Sequence, residues 1–149
     1  MYKKHSVILT LLMFIFGAIS YLFSIDYADI ASDGIVVVSI ILAIYMTSFS
    51  GLVSSDLAEK MQQKQDSELT GKSQLGVLRS YLNHAVFIGI INIIISCVVL
   101  ILASKMKMIE NKGDVYYIIS ACGCATLAGN IFLMFLLYLF MVNRQLWNK

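Results

Sequence analysis

Residues 84–103 read HAVFIGIINIIISCVVLILA, a run without an acid, a lysine or an arginine. In a helix rising ~1.5 Å per residue, such a run covers the ~30 Å hydrocarbon layer of a bilayer. Outward from it lie three more runs of the same character: Ser6 to Phe23, Ile35 to Val53 and Tyr116 to Val142. The chain is therefore predicted to be all-α and polytopic, with four transmembrane helices arranged as two antiparallel hairpins in a single membrane domain over residues 1–149. Short connections make successive helices antiparallel neighbours, so a compact four-helix bundle is the expectation.

Composition agrees. Hydrophobic residues make up 59% of the chain and charged residues 13%, against roughly 25% charged in soluble domains. The connections leave no room for a soluble domain of ~50 residues or more. The first span also resembles a signal peptide, with Lys3 and Lys4 ahead of an apolar run and Ala18-Ile19-Ser20 as a loose cleavage site. Its run continues through Phe23, longer than a usual signal core, and retention as a span is expected.

Charge sets the orientation. The first connection, Ser24 to Gly34, holds Asp26, Asp29 and Asp33 and no cation. The connector, residues 54–83, holds Lys60, Lys64, Lys72 and Arg79. The third connection holds Lys105, Lys107 and Lys112, partly balanced by Glu110 and Asp114. With both ends inside, eight Lys or Arg are cytoplasmic and three external, so the positive-inside rule predicts N-in and C-in. Tyr21, Phe23, Tyr116 and Tyr117 then fall at the outer interface, and Tyr2, Tyr81 and Trp147 at the inner one. A bacterial inner membrane suits the small size, the plain topology and the lack of eukaryotic targeting signals.

The connector is the one substantial polar segment. The second span is expected to continue as helix to about Gln65, with a turn over Asp66 to Ser73 around Gly71. Leu57 and Met61 stand at i, i+4, and Leu75, Leu78 and Leu82 at i, i+3, i+7. These stripes either cover the bundle end and headgroups or dock a cytosolic partner through Leu57, Lys60, Met61, Lys64, Leu75 and Arg79. The fourth span, ~27 residues long, is expected to protrude as helix towards Trp147.

Inside the membrane, Asn92 and Asn130 lie close enough in depth to contact each other or a neighbouring subunit. Structural glue between helices is the plain reading; a polar ring lining a pore is the sharper one. Ala121, Ala125 and Gly129 form a small-residue stripe beside Ser120, Cys124 and Ala128, so a tight helix–helix contact is predicted there, within the chain or between chains. A weaker polar patch, Thr47, Ser48, Ser50 and Gly51, marks the second span. Cys97, Cys122 and Cys124 have no His or carboxylate nearby and are expected to act as buried packing groups, although Cys97 and Cys122 share a depth that allows a disulfide. His84 reads as an interfacial anchor. No proline is present, so fairly straight spans are expected.

These features exclude several classes. Ion-coupled transporters place ionisable groups in the membrane, and here the spans hold no Asp, Glu, Lys or Arg. The small multidrug transporters depend on such a carboxylate, and the quinone-linked thiol oxidoreductases on Cys-x-x-Cys. No nucleotide loop or nucleophile arrangement appears. The chain is expected not to be an enzyme and to need no cofactor, metal or small-molecule substrate. A net charge of +2 with scattered cations is a topology signal rather than a nucleic-acid footprint.

Two function classes remain. One is an oligomeric, non-enzymatic membrane sensor or scaffold that recruits a cytosolic protein partner. The other is a small oligomeric pore former, a channel or holin-like protein. The outline favours the first: overall size, two hairpins, a Lys-containing connector and the basic end Arg144 to Lys149 resemble the small four-helix membrane component of the Kiwa anti-phage system. That resemblance implies a membrane-embedded oligomeric sensor of phage attachment or envelope stress, holding a cytosolic DNA-binding effector on its inner face. It maps no residue roles, because it has no motif.

Overall fold

The computed structural model describes residues 1–66, 69, 71–106 and 113–146, with side chains as far as Phe140. Among these residues it has five helices: α1 (Lys3–Leu22), α2 (Ala28–Val53), α3 (Asp56–Gln63), α4 (Gln74–Met106) and α5 (Gly113–Leu146). No strand forms among the described residues, apart from one isolated bridge between Gln65 and Ser73. α1, α2, α4 and α5 are long and apolar enough to cross a membrane, and α3 is not. The expected contribution of residues 107–112 to the third connection, and the interfacial role of Trp147, lie outside the described residues.

Helix boundaries depart from expectation at two places, for local reasons. α2 begins at Ala28 rather than Ile35. The turn before it is tight: Ser24 takes a positive φ of 49°, and the Ile25 N–H bonds back to the Ser20 carbonyl at 2.9 Å. That is the left-handed stop usually given to glycine. Asp26 then accepts the Ala28 N–H at 3.1 Å, and Asp29 in the first turn complements the positive helix end. So Asp29 and Asp33 ride on helix, not loop. The second departure is at Ser54 and Ser55. Their hydroxyls bond the carbonyls of Ser50, Gly51 and Leu52, competing with the ladder that would carry the helix onward. α2 stops there, and α3 is a separate short helix rather than a continuation to Gln65.

Beyond α3 the chain turns back as expected. The Asp66 N–H bonds the Lys72 carbonyl and the Gln74 N–H bonds that of Lys64, with Gly71 at φ +89°. Ser73 caps the next helix by accepting the Gly76 N–H at 3.1 Å. α4 then runs unbroken through the third span, as Leu75, Leu78 and Leu82 foretold.

The packing order is α1 on α5, α5 on α4, and α4 on α2, with a lesser contact between α2 and α5. Among the described residues, α1 and α2 do not pack on each other. The second pair is a packed antiparallel one: Tyr81 meets Phe140, while Asn92 meets Gly123 and Thr126. The first pair instead straddles it. Small residues on α5 let α1 seat closely against it.

Two apolar clusters fill the interior. One, near the connector, includes Leu9, Ile41, Tyr45, Met61, Leu78, Leu82, Leu133 and Leu137. The other, near the 23–27 turn, is built on Tyr27, Ala31, Val99 and Tyr116. Buried Asn92, Ser96, Thr126 and Asn130 also occupy the helix interior.

Candidate functional site: a polar core and a latched connector

Asn92 on α4 is fully buried. Its amide nitrogen faces three acceptors: Thr126 Oγ1 at 2.9 Å, the Gly123 carbonyl at 3.0 Å and Tyr27 Oη at 3.2 Å. Two N–H groups serve these three, so the set is shared. Tyr27 Oη also lies 3.0 Å from Ser96 Oγ, and Ser96 donates to the Asn92 carbonyl at 2.8 Å. Three helices are thus pinned around one carboxamide. The network hydrogen-bonds groups that would be costly to leave unpaired in hydrocarbon.

Tyr27 enters this core because Gly123 lets it. A Cβ at position 123 would lie 2.4 Å from the Tyr27 ring. The middle residue of Cys122-Gly123-Cys124 is therefore a steric necessity. The thiols are free; Cys97 and Cys122 are exposed on the bundle's outer surface and Cys124 is half-buried. Cys124 packs against the Tyr27 cluster as expected, Cys97 and Cys122 are not the buried packing groups expected, and no disulfide joins them.

Asn130 behaves differently. It is fully buried, yet neither its Oδ1 nor its Nδ2 has a hydrogen-bond partner. It does not pair with Asn92, whose partner Thr126 lies one turn away. Its side chain sits over Gly89, where a Cβ would be 2.7 Å from Nδ2.

The small-residue stripe of α5 packs within the chain. A Cβ at Gly17 of α1 would be 3.5 Å from Ala125 Cβ and 3.7 Å from the Ala121 carbonyl, and one at Gly129 would be 2.9 Å from Met13. Ala121, Ala125 and Gly129 thus form the seat of α1.

At the connector pole, the apolar stripe turns inward. Met61 is buried against the cluster containing Val77 and Leu78, with Leu57 and Leu75 packed on its flank. Lys60, Lys64 and Arg79 remain exposed. The six predicted contact residues therefore divide into three that hold α3 down and three that face out.

The start of the chain is fastened to this pole. Tyr2 Oη donates to Asp66 Oδ2 at 2.8 Å, and Asp66 Oδ1 accepts the Leu69 N–H at 3.0 Å. His5 Nδ1 pairs with Tyr81 Oη, which also accepts the Tyr2 N–H at 3.3 Å. The Met1 ammonium reaches Ser80 Oγ at 2.8 Å. Burial, with nearby Lys72 adding to it and Asp66 opposing, holds that ammonium below its ordinary pKa. Tyr2 and Tyr81, expected at the inner interface, are both parts of this latch. At the opposite pole, buried Tyr116 likewise donates to Asp26.

Sequence reasoning missed Tyr27, Ser96 and Thr126. A signal existed: Asn92/Ser96 and Thr126/Asn130 are i, i+4 polar pairs, each on one face of an apolar helix. Among the described residues, no group of three His, Cys, Asp or Glu could hold a metal.

These features define a multi-pass α-helical membrane protein with a buried polar network around Asn92 and a folded polar connector. Comparison with protein-family models, with curated proteins and with solved structures finds no match.

Proposed function

We propose that the chain is a non-enzymatic membrane sensor and scaffold whose connector pole recruits or regulates a cytosolic protein. The observation that carries this reading is the latch. Tyr2 and His5, the 64–74 turn, Tyr81 and the late part of α5 near Phe140 meet at one end of the bundle. A motion of α1 therefore bears directly on the connector. With that pole cytoplasmic, the orientation is N-in and C-in, as the cation count favours. A bacterial inner membrane and anti-phage defence are the setting implied by the resemblance to the Kiwa membrane component. Self-association belongs to the same reading. Since α1 already covers the small-residue face of α5, it would use the outer face of α2, where Thr47 and Ser50 are exposed.

The pore reading has less support. Asn92 and Asn130 are both fully buried within one chain, so neither lies where neighbouring subunits would line a channel.

The test is purification of the intact protein from mild detergent. A soluble partner should co-purify with the wild-type chain and be lost with Lys60→Glu/Lys64→Glu, which changes exposed groups only. Absence of any stoichiometric soluble partner from the wild-type preparation, or labelling of residues 60–64 from the external side, would overturn the proposal.

A further inference from the structure

The connector pole carries an unbalanced charge. Lys3, Lys4, Lys60, Lys64, Lys72 and Arg79 are all exposed there among the described residues. The exposed acids described at this pole are Asp56 and Glu59. Asp66 is 4% exposed, and its oxygens are occupied by Tyr2 and Leu69.

Depth tells what these cations meet. Arg79 precedes the apolar run at His84 by about 7 Å of helix, and Lys3 and Lys4 precede Ser6 by ~3–5 Å. The headgroup layer on each side of a bilayer is ~5–8 Å thick. These three cations therefore lie among lipid phosphates. Met61 shares a buried cluster with Val77 and Leu78, and α3 packs on α4, which places α3 about 8–11 Å outside the same boundary. Lys60 and Lys64 are then within a Debye length, ~8 Å at physiological salt, of the phosphate layer. Lys64 and Lys72 also stand on facing arms of the Gln65–Ser73 bridge.

We propose that this pole is an anionic-phospholipid binding collar, in which Arg79, Lys3 and Lys4 contact headgroup phosphates and the α3 and turn lysines add longer-range attraction. An acidic soluble protein is the competing occupant. It could reach Lys60 and Lys64 but not the three cations at phosphate depth, and the geometry favours lipid for that reason. The proposal needs membrane insertion but not the scaffold reading.

The experiment uses the full chain in vesicles of phosphatidylcholine with and without phosphatidylglycerol, followed by counting of co-extracted lipid by native mass spectrometry. The wild-type chain should retain phosphatidylglycerol over phosphatidylcholine. Arg79→Gln should lower that retention by about fivefold and Lys64→Gln by a smaller factor, and molar salt should weaken it in the wild type. Equal retention of the two lipids, or undiminished retention in both variants, would overturn the collar. Loss of a soluble partner with lipid selectivity intact in wild type would count against the scaffold reading alone.

Discussion

Gly123→Ala tests whether Tyr27 is the keystone of the interior. The new methyl would sit 2.4, 2.5 and 2.9 Å from Tyr27 Cδ1, Cε1 and Cγ, distances that no real contact sustains. The ring must withdraw. Overpacking costs about 1–3 kcal/mol, and the withdrawn hydroxyl leaves Ser96 and Asn92, at ~0.6–1.7 kcal/mol for each interhelical bond. Alanine's better helix propensity returns ~1 kcal/mol. The net destabilisation is about 1–5 kcal/mol. In a Tyr27→Ala background the obstruction is gone, and the same substitution should be neutral or stabilising. Unfolding in mixed micelles, followed by far-ultraviolet circular dichroism, gives all corners of the double-mutant cycle. If Gly123→Ala costs the same with and without the Tyr27 ring, or nothing at all, the account of this core is wrong.

Two further outcomes follow from buried groups. Asn130→Leu should stabilise the protein by about 1–2 kcal/mol, because it removes an unpartnered carboxamide, whereas Asn92→Leu should cost about 1–3 kcal/mol by stripping Thr126 and Tyr27 of a partner. The same micelle titration decides, and equal losses at both positions would refute the distinction. Met61→Lys should detach α3 from the bundle at a local cost of about 2–5 kcal/mol. Hydrogen exchange across residues 56–64 should then accelerate while the spans stay protected; unchanged exchange would mean Met61 does not hold α3.

The class of fold was legible because lipid-spanning helices need only length and apolarity, and residues 84–103 have both. The turn at 66–73 and the helix entering through Leu75, Leu78 and Leu82 were legible for similarly local reasons. Most of what escaped was non-local. Tyr27 looks like a loop residue until Gly123, far along the chain, makes room for its ring. Ser54 and Ser55 stop α2 by bonding their own backbone, an outcome that competes closely with continued helix in any serine-rich stretch. The stripe Ala121, Ala125 and Gly129 announced a close contact, but its partner, α1, could not be named from spacing alone.

The separation of α1 from α2 has a consequence for biogenesis. These segments leave the ribosome first, yet each finds its seat on a helix made later. Gly17 waits for Ala125, roughly 100 residues of synthesis downstream. In the interim both must persist as lone helices in lipid, with the seat for the first still unwritten. Truncation before the last helix would therefore leave an early product without its native neighbours, a natural target for membrane proteolysis.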